Sequence, residues 1–121
     1  MSLLNFGVRT GRLSMNQFVD LCCTQPAKLF GLFPRKGTIA VGADADLVVW
    51  DAEKQLTLSA STHHTNVDYN LYEGTEVIGS PEVVLVRGQV VIEGDALVAA
   101  PGTGQFLRRA RFGAELAAAG A

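Results

Sequence analysis

The sequence predicts an α+β chain: a helix pair, then a small β-meander, then a C-terminal tail. Three observations carry this expectation. Ser14-Met15-Asn16-Gln17 has the S-x-x-Q pattern of a helix start. After residue 36, apolar residues stop recurring every three or four positions and gather into short runs rich in valine and isoleucine. Arg87-Gly88 parts two such runs with the two-residue signature of a β-hairpin.

The size of the chain, 121 residues, suits one domain. Apolar residues make up 48% and charged ones 18%, enough to bury a real core. A formal net charge of −2 gives no general attraction for nucleic acid or anionic membrane, so neither is expected as a partner. The longest apolar runs, such as LVVW and VVLV, are too short to span a bilayer, and no basic region followed by an apolar stretch marks a leader. The two cysteines, Cys22 and Cys23, are adjacent. Neighbours on a helix diverge by about 100° and seldom pair, so a reducing cytoplasm is the expected setting.

Residues 1–35 read as the helical segment. Ser14 can accept one orphan amide while Gln17 reaches back to the cap, and Phe18, Leu21 and Cys22 follow as an apolar stripe. In TQPAKLFGLFP, a second short helix, Pro26 falls in the first turn and Gly31 stands where a left-handed residue would end it. Residues 36–100 read as β-rich. Leu47 to Trp50 is apolar on both faces, as an inner strand is, and QLTLSAS alternates like a half-buried one. Residues 61–81 lack a period and contain Gly74, Gly79 and Pro81, which predicts a long loop. Gly94-Asp95 marks a second turn before ALVAA, completing a meander. Residues 101–121 form the tail, with Arg108, Arg109 and Arg111 and an alanine-rich end that reads as a short helix or a frayed terminus.

Several clusters invite a chemical reading. HHTNVDYNLYEG, residues 63–74, holds both histidines and both tyrosines. His63, His64 and Asp68 are the candidate metal ligands. Adjacent histidines on an extended loop point to opposite sides, however, and zinc needs three or four converging groups. The preferred reading is structural, with Asp68, Tyr69, Asn70 and Tyr72 holding the loop by hydrogen bonds. Cys22 and Cys23 on an amphipathic helix read as small buried hydrophobes rather than reactive thiols. Asp44 and Asp46, between a glycine turn and a strand, read as turn caps rather than paired catalytic carboxylates. Ser59, Ser61 and Thr62 lie near the histidines, but no G-x-S-x-G elbow accompanies them. The two glycines of GTGQFLRRARF lack the third that a dinucleotide fingerprint needs, so its arginines read as a solvated or subunit-crossing tail. No catalytic residue is assigned.

KGTIAVGADADLVVWD resembles the stretch that follows the barrel in enzymes of the amidohydrolase superfamily, through Gly37, Ile39, Gly42, Ala45, Asp46, Leu47 and Val48. QPAKLFGLFPRKG before it, NVDYNLYEG and VVLVRGQVVIEGD after it, and PGTGQFLRRARF near the end are similar to the cyclic-amide hydrolases, the dihydropyrimidinase and D-hydantoinase family. Gly37, Gly42, Asp46, Asp68, Tyr69, Gly74 and Gly88 are the motif residues that this likeness marks as structural. The resemblance implies that the helix pair is the tail end of a (β/α)8 barrel and that the strands are part of a small β-sandwich. It implies a family that hydrolyses dihydropyrimidines and hydantoins with two metal ions, usually zinc. The family's ligands are an H-x-H pair, a carbamylated lysine, two further histidines and an aspartate, all upstream of the matching region. The chain then corresponds to the C-terminal quarter or so, lacks the metal ligands, and is expected to be inactive alone. A part of a sandwich implies self-association or a barrel-containing partner, with Arg108, Arg109 and Arg111 available to a neighbouring subunit. The alternative is a non-catalytic oligomerisation module, as in the collapsin-response-mediator-like members of the fold.

Overall fold

The computed structural model describes residues 1–64, 66–111 and 113. A wide, π-type turn, Leu4–Val8, opens the chain. Helix α1, Met15–Val19, runs through a second π-type turn, Asp20–Thr24, into α2, Gln25–Leu29. The capping box forms as its sequence dictates: Ser14 Oγ accepts from the Gln17 amide at 3.2 Å and Gln17 Oε1 from the Ser14 amide at 2.8 Å. The two helices were expected to be separate and are instead joined, since Val19, Asp20, Thr24 and Gln25 all keep right-handed helical dihedrals. The Gln25 amide reaches five residues back to the Asp20 carbonyl. This widening, just ahead of Pro26, gives room for a ring that would otherwise press on the preceding turn. Gly31, with φ +66°, ends the helix as predicted.

Four antiparallel strands make one sheet in the order β1-β2-β3-β4: β1 Leu47–Thr57, β2 Glu76–Val86, β3 Gln89–Glu93 and β4 Ala96–Leu97. Arg87 (φ 49°) and Gly88 (φ 77°) form the β2–β3 turn, both left-handed as a two-residue hairpin requires. Gly94-Asp95 joins β3 to β4.

Two expectations for the sheet need correction. The run Leu47 to Trp50 is not an inner strand: β1 lies at an edge, and Val48 and Val49 stay about half exposed. It also continues into Gln55–Thr57 across a bulge, where Asp51 Oδ1 accepts the amides of Glu53 and Lys54 and folds the extra residues into a side-chain turn. The predicted loop 61–81 is too long, because β2 begins at Glu76. Pro81 is tolerated inside β2 because it sits opposite Trp50 at a register shift, where no ladder donor is needed.

The core is thin. Among the described residues the buried apolar side chains are Leu4, Ala27, Leu58 and Val77. Leu4 lies over Gly79 of β2, where an added Cβ would stand 2.7 Å from Leu4 Cδ2. Asn5 Oδ1 accepts the Ile78 amide at 3.2 Å, and Arg9 Nη1 donates to the Ala52 carbonyl at 3.2 Å. The opening turn is thereby fastened to the bulged middle of the β1–β2 ribbon. Phe18 meets Trp50 edge to face, with centroids 6.3 Å apart. Cys22 and Cys23, expected to be buried, are exposed, as is Leu21, because the sheet contacts the helices through Phe18 and not through that face.

Candidate functional site

Residues 58–75 form a loop closed at its base by two backbone bonds, from the Leu58 amide to the Thr75 carbonyl and from the Gly74 amide to the Leu58 carbonyl, both 2.9 Å. A short 3-10 turn, Ala60–Thr62, is capped by Ser59, whose hydroxyl accepts the Ser61 amide. Glu73 crosses from the other limb and accepts the Ala60 amide at 2.8 Å. The Ser59 hydroxyl, the Ala60 amide and the nearby His63 hold the Glu73 carboxyl below the usual glutamate range.

Asn70 organises the far side. Its Oδ1 accepts the Tyr72 amide at 2.9 Å and its Nδ2 lies 3.2 Å from His63 Nδ1. His63 Nε2 is buried without a hydrogen-bond partner among the described residues. His64, Asp68 and Tyr69 are exposed. The loop therefore joins His63 to Asn70 and Glu73, not to His64 and Asp68. Asn70 and Tyr72 take part in holding the loop as expected, the latter through its backbone, and Glu73 holds it as well. Glu73 escaped sequence reasoning; the signal was a carboxylate at the loop's exit facing a serine-rich entry. An open hollow lined by Ser59, Ser61, Asp68, Asn70 and Glu73 lies beside this network.

A second polar cluster seats the 36–46 segment on the hairpin. Lys36 Nζ is 2.9 Å from Asp44 Oδ2 and bonds Asp46 Oδ2; Arg35 Nε is 3.0 Å from Asp44 Oδ2. Asp46 Oδ1 accepts the Arg87 amide at 2.9 Å, and the Ala45 carbonyl accepts the Gly88 amide at 2.9 Å. The Lys36 ammonium holds the Asp44 carboxyl low against partial desolvation, with Arg35 adding to it. For Asp46, partial burial works against ionisation but is outweighed by Lys36 and the Arg87 amide, so its carboxyl also titrates low. Two carboxylates both held ionised cannot divide acid and base roles; they fasten a turn.

Of the remaining motif residues, Gly37 (φ +81°) lies against the helix, with its carbonyl accepting from Thr24 Oγ1 at 2.8 Å. Gly42 is open to solvent, and Gly74 and Gly88 occupy the loop base and the hairpin turn. Arg108, Arg109 and Arg111 are exposed, and none is in an ion pair among the described residues. The tail around them runs back to the helix end, where the Ala110 amide donates to the Gly31 carbonyl at 2.8 Å. The alanine-rich stretch 114–121 lies outside the described residues. Partial desolvation, and then Cys22, push the Cys23 thiol up, opposite to the shift a nucleophilic cysteine needs.

Among the described residues, no three His, Cys, Asp or Glu side chains are grouped to hold a metal ion. His63 Nδ1 is engaged by Asn70, and His64 and Asp68 do not join it. These side chains do not fit a zinc centre.

The amidohydrolase family model matches residues 1–91, and the chain belongs to that family. Within it, the chain is similar to the D-hydantoinases and dihydropyrimidinases. It is 54% identical to the D-hydantoinase of Geobacillus stearothermophilus over 115 residues, 95% of this chain and 24% of that protein. It is 45% identical to the dihydropyrimidinase of Rattus norvegicus over 106 residues, 88% of this chain and 20% of that one. The crystal structure of D-hydantoinase from Bacillus sp. AR9 superposes with a TM-score of 0.87 at 54% identity, covering 92% of this chain and 24% of the other. The chain thus spans about a quarter of the length of the relatives it matches.

Proposed function

We propose that this chain is the C-terminal part of a metal-dependent cyclic-amide hydrolase of the dihydropyrimidinase and hydantoinase type, whose reaction opens a ring C–N bond of a dihydropyrimidine or hydantoin, and that it is inactive by itself. In this reading residues 1–35 are the tail end of a (β/α)8 barrel, 36–100 are a share of a small β-sandwich and 101–121 are a C-terminal tail, in a cytoplasmic enzyme. The observation that carries the reading is the 54% identity to a D-hydantoinase along 95% of this chain. Its two metal ions, zinc in this reading, would be held by barrel residues rather than by this chain, which contributes scaffold.

The test is a chimera in which this chain replaces the matched 115 residues of the G. stearothermophilus D-hydantoinase. The chimera is expected to hydrolyse hydantoin, while the chain alone opens neither hydantoin nor dihydrouracil faster than buffer. A folded, metal-loaded chimera without activity, or turnover by the chain alone, would refute the proposal.

A second reading is a non-catalytic oligomerisation module. It is supported by the edge position of β1 and by exposed apolar side chains such as Val48, Val49, Leu71 and Phe106. Self-association or a barrel-containing partner would cover them, with Arg108, Arg109 and Arg111 pairing with acids across the contact. Sedimentation that finds only a monomer at high concentration would exclude the self-associating form.

A further inference from the structure

The hydrogen bonds around His63 decide which of its nitrogens carries the proton. Asn70 Oδ1 is committed to the Tyr72 amide at 2.9 Å, so the carboxamide is fixed with its NH2 toward the ring. That NH2 is a donor and cannot accept. His63 Nδ1, 3.2 Å away, must therefore be unprotonated, and the neutral ring carries its hydrogen on Nε2. Nε2 is buried with no acceptor among the described residues.

We propose that His63 is a proton-operated latch on the loop 58–75, closed while the ring is neutral and released when it is protonated. A proton added at Nδ1 sets N–H against N–H. Turning the Asn70 carboxamide to offer its oxygen would set its NH2 against the Tyr72 amide instead. One proton thus costs at least one of the two bonds that Asn70 makes, and among the described residues Nε2 has no acceptor to compensate.

Glu73, on the opposite limb, is the carboxylate whose charge His63 feels. It attracts an imidazolium, but its oxygens already serve Ala60 and Ser59 and it is exposed, so solvent screens the attraction. His64 and Asp68, in the same loop, are exposed. Histidine is the side chain whose ordinary charge change falls between pH 5 and 8, which sets the range to scan. The sign follows: protection of the loop is present at neutral pH and lost as the pH falls.

The ring tautomer is read from the 15N shifts of the imidazole nitrogens in the full chain, and the latch from amide exchange at Tyr72. At neutral pH, His63 is expected to show a protonated Nε2 and an unprotonated Nδ1. Lowering the pH from about 7.5 to about 5.5 is expected to cut Tyr72 protection, corrected for intrinsic exchange, by about tenfold. Asn70→Asp keeps an acceptor for Tyr72 and offers a second one to Nδ1–H, so its protection is expected to rise in acid. His64→Gln is expected to behave like the parent chain. A ring protonated on Nδ1 or mixed between tautomers at neutral pH overturns the proposal, as does an Asn70→Asp chain that loses protection in acid.

Discussion

Replacing Gly37 by alanine measures how closely the segment after α2 is seated on the helix. A Cβ at Gly37 would stand 2.5 Å from Ala27 Cβ and 2.7 Å from the Cys23 carbonyl oxygen. Neither is the loose end of a flexible side chain, and Ala27 is among the few buried apolar residues. The segment must retreat, and the Thr24 hydroxyl then loses its 2.8 Å bond to the Gly37 carbonyl. A left-handed residue with a Cβ costs about 1–2 kcal/mol, forced displacement about 1–3 and the lost bond about 1, for a total of roughly 3–6 kcal/mol. Gly42 separates these contributions. It too is left-handed, with φ +90°, but a Cβ there meets nothing within 4 Å, so Gly42→Ala should cost only about 1–2 kcal/mol. Urea titration followed by the fluorescence of Trp50, the one tryptophan and an edge-to-face partner of Phe18, reports both variants. Equal midpoints for Gly37→Ala and Gly42→Ala would refute the close seating.

Ser14→Ala should remove the capping box and about 1 kcal/mol of stability, read from helical circular dichroism during denaturation. Val77→Ala should cost roughly 2 kcal/mol, since Val77 is only 1% exposed, and should lower the thermal midpoint cooperatively. Asp44 and Asp46 both titrate below the usual aspartate range, so the support they give through Lys36 is full above that range and lost as the pH falls through their lowered values. The Lys36→Met chain, lacking that support, should show a smaller drop in melting temperature between about pH 4 and pH 2. The dialysed chain should contain no stoichiometric zinc by elemental analysis, and stoichiometric zinc lost on replacing His63 and His64 by alanine would contradict the geometry of the loop.

What the sequence made legible was local. The Ser14–Gln17 box, the Gly31 helix end and the Arg87-Gly88 turn are each set by residues a few positions apart, and each forms as read. Neighbours in space were harder. Leu47 to Trp50 has the two-sided apolarity of an inner strand, yet apolar faces do not reveal whether another strand lies alongside, and here none does among the described residues. Pro81 and Gly79 look like loop residues until the opposing strand supplies a bulge and Leu4 supplies a side chain to lie over the glycine. The candidate site failed for a related reason. His63, His64 and Asp68 cluster along the chain, but His63 is engaged by Asn70 while His64 and Asp68 stay exposed. The partners His63 does find, Asn70 and Glu73, come from the returning limb of the loop. The superfamily motif was readable because its glycines and Asp46 answer backbone constraints that do not depend on substrate.

The bulged β1–β2 ribbon also sets a preferred order of assembly. Its pairing begins at Thr57 and Glu76, beside the closed loop, and ends at Leu47 and Leu85, the pair most distant along the chain. Closing the shorter span first costs less chain entropy, so the ribbon zips more cheaply from the loop outward than from its far end. The β2–β3 hairpin, with its two-residue turn, needs even less closure and can form independently. The loop then acts as the starting clasp for β1, and the Asp51 bulge is a checkpoint midway, where the register must shift before Trp50 can reach Pro81.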